Sequence, residues 1–365
     1  MDAGTHDDGG RLGRRTALGL GLGAAGVALT AALVERDTSL VPAPVEDRAA
    51  ALFGMRSSLG HTYADLPGAA GRVDVHTPPG PGPFPVLVWN DGSGWRSDRG
   101  FQGGRDVARG MVPAGYAVAA FSVRSSSQGT FPAQVLDATA AVRWVRAHAA
   151  ELGLDPGRIA VGGNSSGGWN ALMAGLTGGR DLDRARVPFP GSEVPAGGHA
   201  IPPEDAVQAI VECAAPVDFL QMNVQMPRGA CAALNRRQRL EHCHLDEAST
   251  KSRMLGAPVM ARPELARLAR PAVHVTPDSP PTLLIHGRDD HEVPYLQSRG
   301  LYSVFAERGV PTALYSVEGA GHDLGMMTRR MGPADVLRAH LPRTAVHATV
   351  SWAAVAAFLD AVMPG

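Results

Sequence analysis

The 365-residue sequence lacks any surplus of positive charge: 34 Lys and Arg side chains are matched by 35 Asp and Glu side chains, and the net charge is −1. No basic run follows the first fifteen residues. This argues against nucleic acid as a partner, because neutralising phosphates requires Lys and Arg concentrated on one face. Lysine is nearly missing, since Lys251 is the only one in the chain, and we attribute this to coding bias rather than to function.

The sequence also has no internal repeat, which excludes arrays of stacked modules, and it has only three cysteines. Cys213 lies in the strand-like run VQAIVEC and is expected to be a buried free thiol. Cys231 and Cys243 flank a polar, Arg-rich segment and could form a disulfide in an oxidising compartment. His242, Cys243 and His244 are also residues of the types that bind metal ions. No second half of a zinc pattern lies nearby, so a surface loop is the preferred interpretation.

The N-terminal 45 residues have the layout of an export signal. The pair Arg14-Arg15 precedes an uncharged stretch, rich in Gly and Ala, over residues 16–34. This arrangement is typical of a twin-arginine signal. The stretch is almost long enough to span a bilayer, so an uncleaved membrane anchor is the alternative. We therefore predict export, to an extracellular or membrane-anchored location, with a folded domain over residues 46–365.

From about residue 72 onward, short β-like runs alternate with helical patterns. Strands are predicted for RVDVH, FPVLVW, YAVAAFSV, RIAVGG, VQAIVEC, PTLLIHG and TALYSV, and the last helix is predicted over residues 350–362. This alternation predicts an α/β fold, in which a mostly parallel sheet is covered by helices on both faces.

Two irregular insertions interrupt the alternation, at about 178–205 and 220–262. Long insertions of this kind often form lids over a site. Met222 and Met226 in the second insertion either line an apolar pocket or, as is more common for methionine, pack in the core.

The stretch RIAVGGNSSGGWNALMAG contains two adjacent serines between a predicted strand and a predicted helix. Ser165 has glycine two positions away on both sides, at Gly163 and Gly167, which is the pattern of a nucleophile elbow. The turn is sharp and strained, so these two flanking residues must be glycine to avoid clashes. Ser166 lacks one of the glycines and is not the nucleophile. Its backbone N–H, at the start of the helix, is a candidate oxyanion donor instead.

A serine hydroxyl is a poor nucleophile until a base removes its proton. His322 follows the strand TALYSV and a Gly-Ala-Gly turn, so it can reach back over the strand ends, and we predict it to be the base. Asp290, in the loop after PTLLIHG, is the predicted acid that orients the base, and Asp289 is its near competitor. His286 and His291 lack this context; His286 ends an apolar strand and is expected to be buried.

The Gly-rich turn NDGSGW follows the strand FPVLVW. Such a turn can aim backbone N–H groups at the negative charge that develops on a reacting oxygen. We predict an oxyanion hole formed by Ser93, Gly94 and Trp95 together with Ser166. The alternative is an ordinary glycine turn.

In combination these segments resemble the α/β-hydrolase esterases related to hormone-sensitive lipase, particularly the bacterial feruloyl-esterase-like and acetyl-xylan-esterase-like members. The resemblance extends from about residue 72 to 325 and is found in DGSGWRSD, FPAQVLDATAAVRWVRAHAAELGLDPGRIAVGGNSSGG, VQAIVECAAPVDFLQM, HGRDDHEVPYLQS and VEGAGHDLG. It implies an α/β-hydrolase fold with about eight strands and a triad in the chain order Ser165, Asp290, His322. In one departure from the family pattern, Asp91 stands where a histidine is usual and Ser93 replaces a glycine.

The resemblance implies hydrolysis of a carboxylic ester through an acyl-enzyme, without a metal or an organic cofactor. The expected substrate is a small-molecule or polysaccharide-linked ester, such as an acetyl or feruloyl ester of plant polysaccharide. A prolyl-oligopeptidase-like peptidase would use the same residues in the same order, but nothing N-terminal is long enough for its usual propeller domain. A non-catalytic binding protein of the same fold is the second alternative, favoured by Asp91 alone. The oligomeric state is left open.

Overall fold

The computed structural model describes Met1 and residues 45–46, 54–180, 182, 201–329, 331 and 333–365. Apart from its two end residues, the predicted export segment over residues 1–45 lies outside the described residues. The same holds for most of the first predicted insertion, 178–205. In the part of the chain that is described, no helix is long and apolar enough to cross a bilayer.

One twisted sheet forms the centre of the described fold. Its strands are β1 (Val45–Glu46), β2 (Arg56–Thr62), β3 (Arg72–Thr77), β4 (Phe84–Asn90), β5 (Ala117–Phe121), β6 (Leu154–Asn164), β7 (Ala209–Cys213), β8 (Thr282–Gly287), β9 (Thr312–Val317) and β10 (Asp335–Ala339). They lie in the order β1-β2-β3-β5-β4-β6-β7-β8-β9-β10. The six strands from β5 to β9 in this order are parallel to one another. The pairings that involve β1, β2, β3 and β10 are antiparallel.

The mostly parallel sheet is therefore confirmed, and seven of its strands lie where the sequence predicts them. The described residues form ten strands rather than about eight, because β1, β2 and β10 were not predicted. All three lie in the antiparallel margins of the sheet, and most residues of β2 and β10 are only partly buried. Such strands lack the continuous apolar run that marks a parallel strand covered on both faces.

Helices cover both faces of the sheet. In the described residues they are α1 (Gly104–Met111), α2 (Ala133–Ala147), α3 (Ala149–Leu152), α4 (Ser166–Thr177), α5 (Met222–Gln225), α6 (Ala230–Gln238), α7 (Thr250–Leu255), α8 (Pro263–Leu268), α9 (Leu296–Glu307) and α10 (Trp352–Val362). The second predicted insertion is thus not irregular. It contains α5, α6 and α7, with a 3₁₀ turn at Cys243–Leu245 between the last two.

The core has two layers, one on each face of the sheet, and β4 shows why. Its residues alternate between the layers, with Val86 and Val88 in the layer under α2 and α4. Leu87 and Trp89 lie in the layer under α1 and α10. A strand buried on both faces has to be apolar at consecutive positions, which is the pattern that made this strand predictable.

This topology places four loops at one edge of the sheet. Because β4, β6, β8 and β9 are parallel, their carboxyl ends all lie at this edge, where ligands bind in open α/β sheets. The loops that follow these strands contain the Gly-rich turn, Ser165, Asp290 and His322, in that order along the chain. Ser165 and His322, which lie 157 positions apart in sequence, thus share one site.

Candidate active site

Ser165 lies at a strained turn between β6 and α4. Its backbone has φ 52° and ψ −126°, in a region that side chains rarely adopt. A Cβ on Gly167 would overlap the carbonyl of Asn90 at the end of β4, and a Cβ on Gly163 would overlap Gly167 itself. Both glycines are therefore required by the close approach of the elbow to β4, which is the reason that the sequence pattern suggested.

Two hydrogen bonds join the three residues that the sequence singled out. The hydroxyl of Ser165 lies 2.8 Å from Nε2 of His322. Nδ1 of the same ring lies 2.6 Å from Oδ2 of Asp290. The imidazole side chain is 22% exposed and the carboxylate is fully buried, so the ring is open to a substrate on one side and fixed on the other. In this arrangement Nδ1–H donates to the carboxylate, and Nε2 is left to accept the serine proton.

The surroundings of Asp290 distinguish it from its neighbour. Oδ1 of Asp290 accepts hydrogen bonds from the backbone N–H groups of Glu292, at 2.8 Å, and Val293, at 2.9 Å. Burial alone would raise the pKa of this carboxyl, but the hydrogen bonds from His286 and His322 outweigh it and hold the pKa well below its usual range. The side chain of Asp289 is exposed. Asp290 is therefore the ionised carboxylate that faces the imidazole.

A second histidine supports Asp290 from behind. Nε2 of the fully buried His286 lies 3.2 Å from Oδ2 of Asp290, and Nδ1 lies 2.7 Å from the hydroxyl of Ser298. That hydroxyl in turn donates to the buried carboxylate of Glu212, at 3.1 Å. Burial would lower the pKa of His286, but the two carboxylates that flank it raise the pKa overall. Burial of His286 was predicted, whereas its contact with Asp290 was missed; the four-residue spacing within HGRDD was the available signal.

The Gly-rich turn after β4 points its backbone donors at the elbow. The N–H groups of Ser93, Gly94 and Trp95 lie 2.9, 3.0 and 3.4 Å from the hydroxyl oxygen of Ser166. The N–H of Gly92 donates to the side-chain oxygen of Asn164, at 2.7 Å. Three donors from the turn thus converge on a single oxygen atom that belongs to the residue next to Ser165. The role of the Asn164 side chain was not predicted.

The carboxylate of Asp91 points away from this point of convergence. Its Oδ1 accepts a hydrogen bond from the indole nitrogen of Trp89, at 2.8 Å, and the carboxylate also accepts the backbone N–H of Gly103. Asp91 does not line the cavity beside Ser165. The carboxylate at this position therefore braces the turn from its far side and places no charge beside the reacting atoms.

Replacing Asp91 by asparagine is expected to change the hydrolytic activity expected from the sequence by no more than about twofold, because an amide oxygen can still accept from Trp89. Burial raises the pKa of Asp91 above its ordinary value, although the Trp89 hydrogen bond opposes this. A raised pKa favours folding while the carboxyl is protonated, and this contribution is lost as pH rises through the folded-state pKa. The difference in Tm between D91N and the wild type, taken as variant minus wild type, should therefore be more positive at pH 7 than at pH 4. Scanning calorimetry can measure it. A tenfold loss of activity would show that the charge acts in the site.

A disulfide between Cys231 and Cys243 links two parts of the second insertion, with a Cα–Cα distance of 5.3 Å. The following residue, His244, is buried at 3% exposure, and its Nδ1 lies 3.0 Å from Nζ of Lys251 in α7. The surface-loop interpretation is therefore wrong at this position. In the described residues, no group of three His, Cys, Asp or Glu side chains could hold a metal ion. Cys213 is a buried free thiol, as predicted.

An open cavity of about 690 Å³ lies beside Ser165 and His322. Its walls come from the Gly-rich turn, the elbow, the segment from Arg237 to Arg253, and the loops after β8 and β9. Residues of the second insertion therefore form one side of the cavity, in line with the prediction of a lid-like segment. Neither Met222, which is in the core, nor Met226 is part of the lining.

A mostly parallel sheet with helices on both faces, a serine on a strand-to-helix elbow, and a histidine and an aspartate from later loops define the α/β-hydrolase class. Comparison with protein families agrees: the model of the BD-FAE family matches residues 73–305. Since this is well over half of the chain, the protein belongs to the BD-FAE family. The resemblance inferred from the sequence is thereby confirmed.

Similar proteins are named as ester hydrolases. The probable carboxylic ester hydrolase LipM of Mycobacterium tuberculosis is 27% identical over 241 residues, which are 64% of this chain and 48% of LipM. Esterase LipC of the same organism is 27% identical over 254 residues, 69% of this chain and 56% of LipC. The solved structure of a truncated carbohydrate esterase from gut microbiota has a TM-score of 0.59 and 26% identity, covering 73% of this chain and 88% of that one. The chain thus spans about half the length of the curated relatives that it matches.

Proposed function

We propose that the protein is a serine carboxylesterase. The observation that carries the proposal is the unbroken pair of hydrogen bonds from Ser165 to His322 and from His322 to Asp290. As Ser165 attacks the ester carbonyl, its proton passes to Nε2 of His322, and the imidazolium is stabilised by the ionised Asp290. The same proton then goes to the departing alkoxide, which leaves an acyl-enzyme. Water, deprotonated by His322, attacks this intermediate. The bond between the acyl carbon and Oγ of Ser165 then breaks, Oγ takes the proton back from His322, and the acid is released.

The Gly-rich turn and the start of α4 hold the oxyanion in this proposal. Support comes from the convergence of the Ser93, Gly94 and Trp95 N–H groups on one oxygen atom, the hydroxyl of Ser166. Donors that already hold a neutral oxygen can hold a negatively charged one more tightly, because charge-assisted hydrogen bonds are stronger. In this proposal the Ser166 hydroxyl leaves the point of convergence by rotation about the Cα–Cβ bond of Ser166, and the substrate oxygen takes its place. The N–H of Ser166, which has no acceptor within the first turn of the helix, adds a further donor.

The substrate in this proposal is a small-molecule or polysaccharide-linked ester, with acetyl and feruloyl esters of plant polysaccharide as candidates. The names of LipM and LipC support carboxylic ester chemistry, and the carbohydrate esterase of similar structure supports a carbohydrate alcohol. The cavity of about 690 Å³ is open to the surface beside Ser165, which supports access of such an ester to the site.

Hydrolysis rates for p-nitrophenyl esters from acetate to octanoate, together with a feruloyl ester, test the proposal. We expect turnover of at least one short acyl ester and a decline in kcat/KM as the chain lengthens beyond the room in the cavity. Cleavage of a Gly-Pro p-nitroanilide without cleavage of any ester would favour the peptidase alternative instead. If neither the esters nor the p-nitroanilide are hydrolysed, the non-catalytic alternative is favoured.

Export by the twin-arginine route is part of the same proposal and depends on the N-terminal sequence. Replacing Arg14 and Arg15 by lysine is expected to keep the protein in the cytoplasm of a host that has this export pathway. Immunoblotting of cell fractions can follow the distribution. Unchanged export of the double variant would contradict the twin-arginine assignment.

A further inference from the structure

The cavity beside Ser165 has an excess of positive charge that the catalytic steps do not use. Four cationic side chains line it: Lys251, Arg96, Arg237 and Arg253. Two carboxylates, Glu292 and Asp323, share the lining, but both are already in ion pairs, the first with Arg237 and the second with Arg329 at 3.1 Å. Three cations in the lining therefore have no carboxylate partner among the described residues, in a protein whose net charge is −1.

Lys251 is the member of this group that the fold buries. Lys251 is part of the cavity lining although the residue is only 7% exposed. Nζ makes one hydrogen bond within the described part of the protein, to Nδ1 of His244 at 3.0 Å. An ammonium group has three N–H donors and no acceptor, so two of its donors are not used by the protein.

His244 cannot balance the charge of Lys251. Because Nδ1 accepts from the ammonium, the imidazole is neutral and its proton lies on Nε2, which faces the sulfur of Met226 at 3.3 Å. Burial lowers the pKa of His244, and the neighbouring Lys251 lowers it further. Burial also lowers the pKa of Lys251, to about 8, with Arg96 acting in the same direction and Glu292 and Asp290 opposing it. The ammonium is thus the prevailing form at pH 7.

Lys251 also belongs to the same cavity as the reacting groups. The preceding residue, Thr250, packs on the Gly-rich turn, since a Cβ on Gly94 would lie 3.1 Å from its Cγ2. Lys251 and Ser165 line the same cavity. A buried cation without a carboxylate partner is costly in free energy, and an anion bound in the cavity would offset that cost.

We infer that Lys251 binds an anionic group of the substrate, and that this esterase prefers esters that carry a carboxylate. The inference rests on the proposed function and narrows its substrate class. Lys251 donates its two remaining N–H groups to the carboxylate, which also removes the imbalance of charge in the cavity. Arg96 and Arg253, exposed in the same lining, attract the anion from solution. The carboxylate belongs either to the acyl part or to the alcohol part of the ester.

Two matched pairs of esters test this preference and separate these two sources. Mono-p-nitrophenyl glutarate and p-nitrophenyl pentanoate differ by a carboxylate on the acyl part. Likewise, 4-acetoxybenzoate and 4-acetoxybenzamide differ by a carboxylate on the alcohol part. In at least one pair, we expect kcat/KM to be about 10- to 100-fold higher for the anionic ester, which is the effect of one charge-assisted hydrogen bond. The difference should lie mainly in KM.

Replacing Lys251 by methionine, which has a similar shape and no charge, is expected to lower that anionic-to-neutral ratio by about tenfold or more. Arg109→Met is the matched control. It removes one positive charge from α1, outside the cavity lining, and should leave the ratio as in the wild type. If K251M fails to fold, the wild type still provides a test: glutarate should inhibit p-nitrophenyl acetate hydrolysis competitively, and glutaramide should not.

The outcomes separate this inference from the proposed function. Equal kcat/KM values within both ester pairs, or a ratio unchanged in K251M, would overturn the anionic-substrate inference while leaving the esterase intact. No hydrolysis of any ester would overturn the proposed function. Calorimetric titration of glutarate into Ser165→Ala then tests anion binding without catalysis, and absence of binding there would overturn the inference as well.

Discussion

Replacing Ser165 by alanine should lower kcat for p-nitrophenyl acetate by about 10⁶-fold, the loss seen when the nucleophile of a serine triad is removed. The hydroxyl is the only group that the elbow presents to Nε2 of His322, at 2.8 Å. Without it, His322 has no nucleophile to activate and no acyl-enzyme can form. The turn itself should persist, because alanine keeps the Cβ of serine and the Ser165 N–H that bonds to Cys213 O at 2.7 Å is unchanged.

The matched control is Ser303→Ala on α9, a partly buried serine whose hydroxyl contacts Arg299 and lies outside the cavity. Its activity should equal that of the wild type. The Tm of S165A should stay within a few degrees of the wild-type value, which separates loss of chemistry from loss of fold. Residual activity of S165A above about one per cent in a clean preparation would refute the nucleophile assignment.

Asp290→Asn should lower kcat by about 10⁴-fold with a smaller change in KM, the size of effect found when the acid of such a triad becomes an amide. The carboxylate accepts from His322, His286, Glu292 N–H and Val293 N–H. An amide has only one acceptor oxygen for these four donors. Its NH₂ group would therefore face either the two rings, which both contact Oδ2, or the two backbone N–H groups, which both contact Oδ1. If it faces His322, the imidazole takes the wrong tautomer and Nε2 can no longer accept the serine proton.

Asp289→Asn is the control that the chain itself offers, because this neighbouring carboxylate is exposed. We expect it to keep wild-type kcat and KM. The pair of variants decides between the two aspartates that the sequence alone left in competition. Greater loss in D289N than in D290N, measured under the same conditions, would reverse the assignment of the acid.

Much of the fold could be predicted because the parallel strands are buried on both faces. The runs of β4, β6 and β8 are apolar at consecutive positions, and such runs are visible without coordinates. The marginal strands β2 and β10 could not be found in the same way, since RSSLGHT and DVLRA are half polar and their pairing partners are set by the sheet that they join. Tertiary context, rather than local preference, makes them strands.

Site residues could be predicted where a short sequence pattern is itself required by the local geometry. Gly163 and Gly167 are needed by the close approach of the elbow to β4, and that need is visible as G-x-S-x-G. The surroundings of Lys251 carry no such pattern. Its burial against His244 depends on how α7 packs on the Gly-rich turn, and the single lysine therefore seemed to reflect coding bias alone.

The role of Asp91 also could not be decided from the sequence alone. From the sequence, a carboxylate in the Gly-rich turn was consistent either with a brace or with a charge beside the oxyanion. The direction of one side chain decides between them, and the structure turns it toward Trp89 and Gly103. The only sequence feature that favoured a non-catalytic protein is thereby accounted for as a structural contact.

Labelling with a fluorophosphonate, followed by fragmentation mass spectrometry of the peptide that contains both adjacent serines, tests the central claim most directly. The reagent phosphonylates a serine only when a base activates its hydroxyl and nearby donors hold the oxyanion. We expect one adduct per chain, on Ser165, and none in the S165A variant. Labelling of Ser166 instead, or no labelling of the folded wild-type protein, would contradict the account.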